Sequence, residues 1–184
     1  MCFMWRRMLE SLHICKGGDV KAKNQFGLVA VILALGFTCV SASENPVIEA
    51  ARSADIKTLN NLLADGSDIN TTQGDGATAL HWAAHLENLE MVDLLIKQGA
   101  DVNHTNDLGA TPLWVGSVSG NEPVVSSLLQ AGADPNLPLL SGETPLMTAA
   151  RAGAVGAVEA LLASGAEVDA TENFKNQTAL MWAV

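Results

Sequence analysis

The chain has 184 residues, enough for one domain of ordinary size, and its apolar content of 48% is sufficient for a packed core. The formal charge of −10 is unevenly split: Met1–Ala42 carry +3 and Ser43–Val184 carry −13. So acidic a surface repels nucleic acid and anionic lipid at long range and favours a basic partner, although net charge chiefly sets solubility. All three cysteines, Cys2, Cys15 and Cys39, precede Ser43, which leaves the rest without a disulfide framework, a thiolate nucleophile or a cysteine zinc site.

The first segment, residues 1–42, reads as a leader. Lys16, Lys21 and Lys23 precede the apolar run Phe26–Val40, and Val40-Ser41-Ala42 places small residues where signal peptidase reads them. Cleavage near Ala42 would leave Ser43 as the new N-terminus of a secreted or periplasmic protein. The alternatives are a buried helix or a membrane anchor facing the extracytoplasmic side. The run is shorter than the roughly 20 residues a spanning helix needs, and the positive flank stays inside in either membrane case. A lipoprotein reading is weak, because Phe37 fits poorly before Cys39. The stretch Met1–Asp19 is long for a leader, and a start near Val20 would explain it.

From about Asn45 the chain repeats itself at a shift of 33 residues. Gly66, Gly99, Gly132 and Gly165 share one column, where a left-handed residue closes a helix without Cβ strain. Asp68, Asp101, Asp134 and Glu167 share another, and Asn70, Asn103, Asn136 and Asp169 a third. Gly76, Gly109 and Gly142 mark a second turn, with Asn176 in the same role after one inserted residue. Thr78, Thr111, Thr144 and Thr178 stand where a hydroxyl caps a helix, with Pro112 and Pro145 as pre-set first residues.

Two helices per unit follow from this spacing. The first is short and lined by small residues, such as Ala83, Gly116, Ala149 and Ala183. The second carries an apolar stripe of three columns: Leu59, Val92, Val125, Val158; Leu62, Leu95, Leu128, Leu161; and Leu63, Ile96, Leu129, Leu162. The units divide as a cap over about 45–67, full repeats over about 68–100, 101–133 and 134–166, and a partial repeat over 167–184. Half a unit leaves Val158, Leu161 and Leu162 partly uncovered, so a longer protein and a fraying C-terminal unit are the expectations here.

The segments GATALHWAA at Gly76–Ala84, GETPLMTAA at Gly142–Ala150 and GADVN at Gly99–Asn103 resemble the ankyrin-repeat family over about Asn45–Val184. The resemblance implies an all-α solenoid of helix–turn–helix units joined by β-hairpin loops, here preceded by a signal-peptide helix. It also implies a concave groove, lined by first helices and hairpin tips, that contacts partner proteins.

Chemistry is thinly represented. His81 and His85 are four residues apart, but the segment between them lacks the glutamate of a metalloprotease motif, and His81 occupies the family's structural histidine position near Thr78. The glycines recur with the repeat and not as a phosphate loop. No catalytic residue, metal ligand or cofactor is expected, nor any nucleic-acid contact. The membrane is expected to be met only through the N-terminal segment. Candidate partner-binding residues are the variable first-helix positions Trp82, Val115, Thr148 and Trp182, the loop residue His104, and the apolar tip residues Leu137, Leu139 and Leu140. Trp is enriched at interface hot spots, though packing against neighbouring units is the alternative. Trp114 fits core filling better, His104 fits a solvated loop, and Glu122 fits a helix-dipole role.

The expected function is a non-catalytic extracytoplasmic scaffold that binds another protein. Two alternatives are an accessory array of a longer enzyme or redox protein and an exported effector.

Overall fold

The computed structural model describes residues 45–183. The leader, the signal-like run and the cleavage position at Ala42 lie outside the described residues.

Nine helices are present among the described residues: α1 Pro46–Arg52, α2 Ile56–Ala64, α3 Ala79–His85, α4 Leu89–Lys97, α5 Pro112–Ser119, α6 Glu122–Gln130, α7 Pro145–Arg151, α8 Val155–Ala163 and α9 Ala179–Trp182. The first eight form four pairs, each first helix packing on its own second helix; α1, α3, α5, α7 and α9 pack in succession, as do α4, α6 and α8. The array is therefore two layers thick, and each inner unit is closed by its neighbours.

Local chemistry sets the helix starts. Asn45, Asp55, Asn88 and Asn121 each accept a backbone N–H one to two residues into their helix, satisfying a donor the helix leaves orphaned. Thr111 and Thr144 cap α5 and α7 the same way, through Trp114 N at 3.1 Å and Met147 N at 3.4 Å. Thr178 also sits at an N-cap, but its side chain makes no capping bond. The turn between paired helices passes through the left-handed region at Ala54, Glu87, Gly120 and Gly153. At Gly120 a side chain is excluded as well, since an added Cβ would lie 2.5 Å from the Cβ of Ala154.

The core runs as a continuous seam between the layers. Leu80, Leu113 and Leu146 on the first helices are buried, and so are Leu59, Val92, Val125, Leu95, Leu128 and Leu161 on the second. A further column, Met91, Val124 and Ala157, is fully buried and completes the seam. The expected third stripe is shallower than the sequence suggests: Leu63, Ile96 and Leu129 are half-buried, and Leu162 is 43% exposed. The Leu80 column shows what neighbours contribute. Its last member, Leu180, has no second helix of its own among the described residues and is 77% exposed.

The loops take the hairpin shape that the resemblance implies, without building a ladder. No strand forms among the described residues, only an isolated antiparallel bridge between Thr72 and Thr78. A backbone bond crosses each loop, from Gln73 N to Ala77 O, Asn106 N to Ala110 O, Leu139 N to Glu143 O and Glu172 N to Gln177 O, and in the first three a second runs back from Gly76 N to Gln73 O, Gly109 N to Asn106 O and Gly142 N to Leu139 O. Neighbouring loops are then stitched by backbone N–H groups donating from Asp107 to Asp75 O, from Leu140 to Leu108 O and from Asn173 to Ser141 O.

A second stitch explains the asparagine column. Asn70, Asn103 and Asn136 each accept the backbone N–H of Asp101, Asp134 and Glu167, at 2.9, 2.8 and 2.8 Å. Asn103 and Asn136 also donate to Gly132 O and Gly165 O, both at 3.1 Å. Asn103→Ala removes both bonds across one junction. The expected loss is about 1–2 kcal/mol, because the freed groups are exposed and water replaces part of what is lost. Urea unfolding of the variant measures this, and an unchanged midpoint would show that the stitch is energetically idle.

Candidate binding face

The variable first-helix positions divide sharply. Trp82 is half-buried beneath the guanidinium of Arg52, whose carbon lies 5.1 Å from the ring centroid. Its Nε1 donates to Gln73 Oε1 at 3.0 Å, and His85 meets the ring edge-on with centroids 5.8 Å apart. Trp182 repeats the arginine stacking at the other end of the array, with Arg151 at 4.9 Å, but its Nε1 has no hydrogen-bond partner among the described residues. Arg151 in turn pairs with Glu143 at 3.2 Å. Both tryptophans therefore stack on an arginine of the preceding unit and are only partly offered to solvent. Val115 lies half-buried between them.

Thr148 does not belong to this face. It is 1% exposed, and its hydroxyl donates to Glu143 Oε1 at 2.8 Å. The reason is the acidic neighbour in the preceding loop, which draws the hydroxyl inward. Trp114 is half-buried, and its Nε1 finds no partner among the described residues.

His81 anchors the face from below. It is buried, and its Nδ1 accepts from Thr78 N at 3.2 Å and lies 2.9 Å from Thr78 Oγ1. With Nδ1 an acceptor, Nε2 must carry the proton, and it donates to Ala110 O of the next unit at 2.9 Å. No lone pair remains for a metal. Burial pushes the His81 pKa below the ordinary imidazole value. The bond to Ala110 opposes that shift and the nearby His104 adds to it. His104 is not simply solvated, as its loop position suggests. It is half-buried, Nε2 lies 3.2 Å from Gly76 O, and its ring meets His81 edge-on at 6.1 Å.

Between these groups opens a cleft of about 200 Å³, lined by Gln73, Asp75, His81, Trp82, Asn106 and Val115 among others. The backbone N–H of Ala77 donates to Asp75, holding its carboxyl below the usual carboxylate range. Asp75 and Asp107 make no ion pair among the described residues.

Toward the C-terminal end the loop tips become apolar. Of the three tip leucines, Leu137 and Leu139 are half-buried and Leu140 projects, at 75% exposure. The structure adds two residues that the repeat pattern did not single out: Leu108 at 67% and Phe174 at 81% exposure. The available signal was an apolar residue at a turn position where the first loop carries Asp75. These tips are rigidly held. Asn106 Oδ1 accepts from Leu108 N and Ala110 N. The buried carboxylate of Glu172 accepts from the backbone of Phe174, Lys175 and Gln177 at 2.6, 2.7 and 3.1 Å. Burial opposes ionisation of Glu172, but these three donors outweigh it and lower its pKa.

Among the described residues no three His, Cys, Asp or Glu side chains converge as a metal site would require. No described helix is long and apolar enough to cross a membrane. A family model described as ankyrin repeats (3 copies) matches residues 47–139 and again residues 127–184. No curated protein matches the chain.

Proposed function

This chain belongs to the ankyrin-repeat family, and from that premise we propose that it is an extracytoplasmic, non-catalytic scaffold that grips another protein with its loop tips and first helices. Ankyrin repeats are generally protein-interaction modules, which supplies the coarse reading; the face itself and the compartment are the finer proposal. The observation that carries the face is the row of exposed apolar side chains, Leu108, Leu140 and Phe174, on tips clamped by their own turn hydrogen bonds. Large apolar groups held rigidly in water favour an interface, because little ordering entropy is left to lose on contact.

The compartment rests on sequence alone: a basic flank, an apolar run of secretory length and small residues before Ser43. It predicts that the exported protein begins at Ser43.

The test of the face compares partner recovery from the extracytoplasmic fraction by the full chain and by a Trp82→Ala/Leu139→Ser variant. Recovery should fall by about tenfold or more if these positions contribute a typical anchor's share of binding. Equal recovery by a variant that unfolds at the same urea concentration would remove this face from the account.

A further inference from the structure

The binding face is chemically graded along the array. Near its N-terminal end lies the cleft that holds the Asp75 carboxylate and the Trp82 ring. Asp75 is exposed at the mouth of this cleft; it accepts from Ala77 N at 2.9 Å and also has the Gln73 side chain as a hydrogen-bonding neighbour. The exposed Asp107 carboxylate belongs to the next tip, joined to Asp75 by a backbone bond of 3.0 Å. From there the face turns apolar within one loop. Asn106 lines the cleft and accepts from Leu108 N, Leu108 O accepts from Leu140 N, and Leu140 O accepts from Asn173 Nδ2 beside Phe174. The acidic cleft and the apolar ridge are thus one hydrogen-bonded surface.

We infer that this surface recognises a segment of a partner protein that carries a lysine or arginine followed by bulky apolar side chains. The basic side chain enters the Asp75–Trp82 cleft, and the apolar ones lie on Leu108, Leu140 and Phe174. This rests on the protein-binding reading above and narrows it to a partner chemistry.

Three observations support the choice of a cation. The cleft volume of about 200 Å³ suits one long side chain. The chain already seats a guanidinium over the Trp82 ring, that of Arg52, so this ring tolerates positive charge. Charge complementarity decides the sign, because Asp75 and Asp107 have no cationic partner among the described residues and the sequence from Ser43 onward carries −13. The same charge opposes an anionic membrane as the occupant of the apolar ridge.

The test is selection of a displayed library of random short peptides on the immobilised full chain. Recovered peptides should pair Lys or Arg with large apolar residues. Asp75→Asn should weaken a recovered peptide about tenfold, the effect of losing one charge-assisted contact. Leu140→Ser should weaken it as well. Glu90→Gln removes the same charge from the second-helix layer and should change little. Recovery of acidic or purely apolar peptides that still need Leu140 would overturn the inference while leaving the binding face intact. Equal losses for Asp75→Asn and Glu90→Gln would reduce the effect to bulk attraction and overturn it too. Recovery of no peptide, or tighter retention of the full chain by phosphatidylglycerol vesicles than by any recovered peptide, would also overturn it.

Discussion

Replacing His81 by alanine lowers the stability of the array by an expected 2–4 kcal/mol, about the sum of a lost buried side chain and two unsatisfied groups. The effect exceeds that of an ordinary helix cap because His81 works across a junction. Its Nδ1 takes the backbone N–H of Thr78, and its Nε2–H holds the carbonyl of Ala110 in the following unit. Alanine leaves the donor without its partner in a buried setting and breaks the link to the next unit.

The same geometry sets a pH dependence. Burial holds the folded-state pKa of His81 below the unfolded value of about 6.5. The unfolded chain therefore binds the proton more readily. The contribution is complete above about pH 6.5 and is lost as the pH falls from there through the lower folded-state value. Protonation would place a hydrogen on Nδ1, facing the Thr78 donor. Urea unfolding at pH 7.5 and at pH 5.5 checks this, as the difference in midpoint between the full chain and His81→Ala. That difference should shrink at the lower pH; a constant or growing difference would contradict the assigned proton positions.

Leu113→Ala is expected to cost about 2–5 kcal/mol, the range for opening a cavity at a fully buried leucine. Leu113 is fully buried on α5, which packs on α3, α6 and α7 at once. In a linear array each junction supplies much of its neighbours' stability, so damage at a central helix weakens units on both sides. The matching control is built into the repeat. Leu180 occupies the same column but is 77% exposed, so Leu180→Ala should stay within about 0.5 kcal/mol of the parent. Similar losses at both positions, measured by urea unfolding, would mean that the column is not governed by neighbour packing.

The repeat columns were legible because each answers a backbone requirement that recurs every 33 residues. Gly66, Gly99, Gly132 and Gly165 all sit at positive φ, and so do Gly76, Gly109 and Gly142, whose column Asn176 continues in the last unit. The Thr positions begin helices for a reason visible in one dimension. The burial pattern was less legible. Met91, Val124 and Ala157 differ in size and character, so their shared column carries no common letter. Leu162 and Leu63 fit the helical period yet stay partly exposed, because period fixes a face and not how deeply it is covered.

The binding face was the hardest part to read. Thr148 looked like a surface position because its column varies, but Glu143 pulls its hydroxyl inside. The two arginine–tryptophan stacks join Arg52 to Trp82 and Arg151 to Trp182, contacts between neighbouring units that no local pattern announces. Phe174 is displayed only because the Glu172 carboxylate folds three backbone donors around itself, an arrangement specific to that loop.

Amide hydrogen exchange of the full chain, free and saturated with its bound partner or a selected peptide, tests most directly where binding occurs. Added protection is expected in the loops around 72–77, 105–110 and 138–143 and along α3 and α5. Protection confined to the outer helices α4, α6 and α8, with the tips unchanged, would place recognition on the opposite layer and contradict the account.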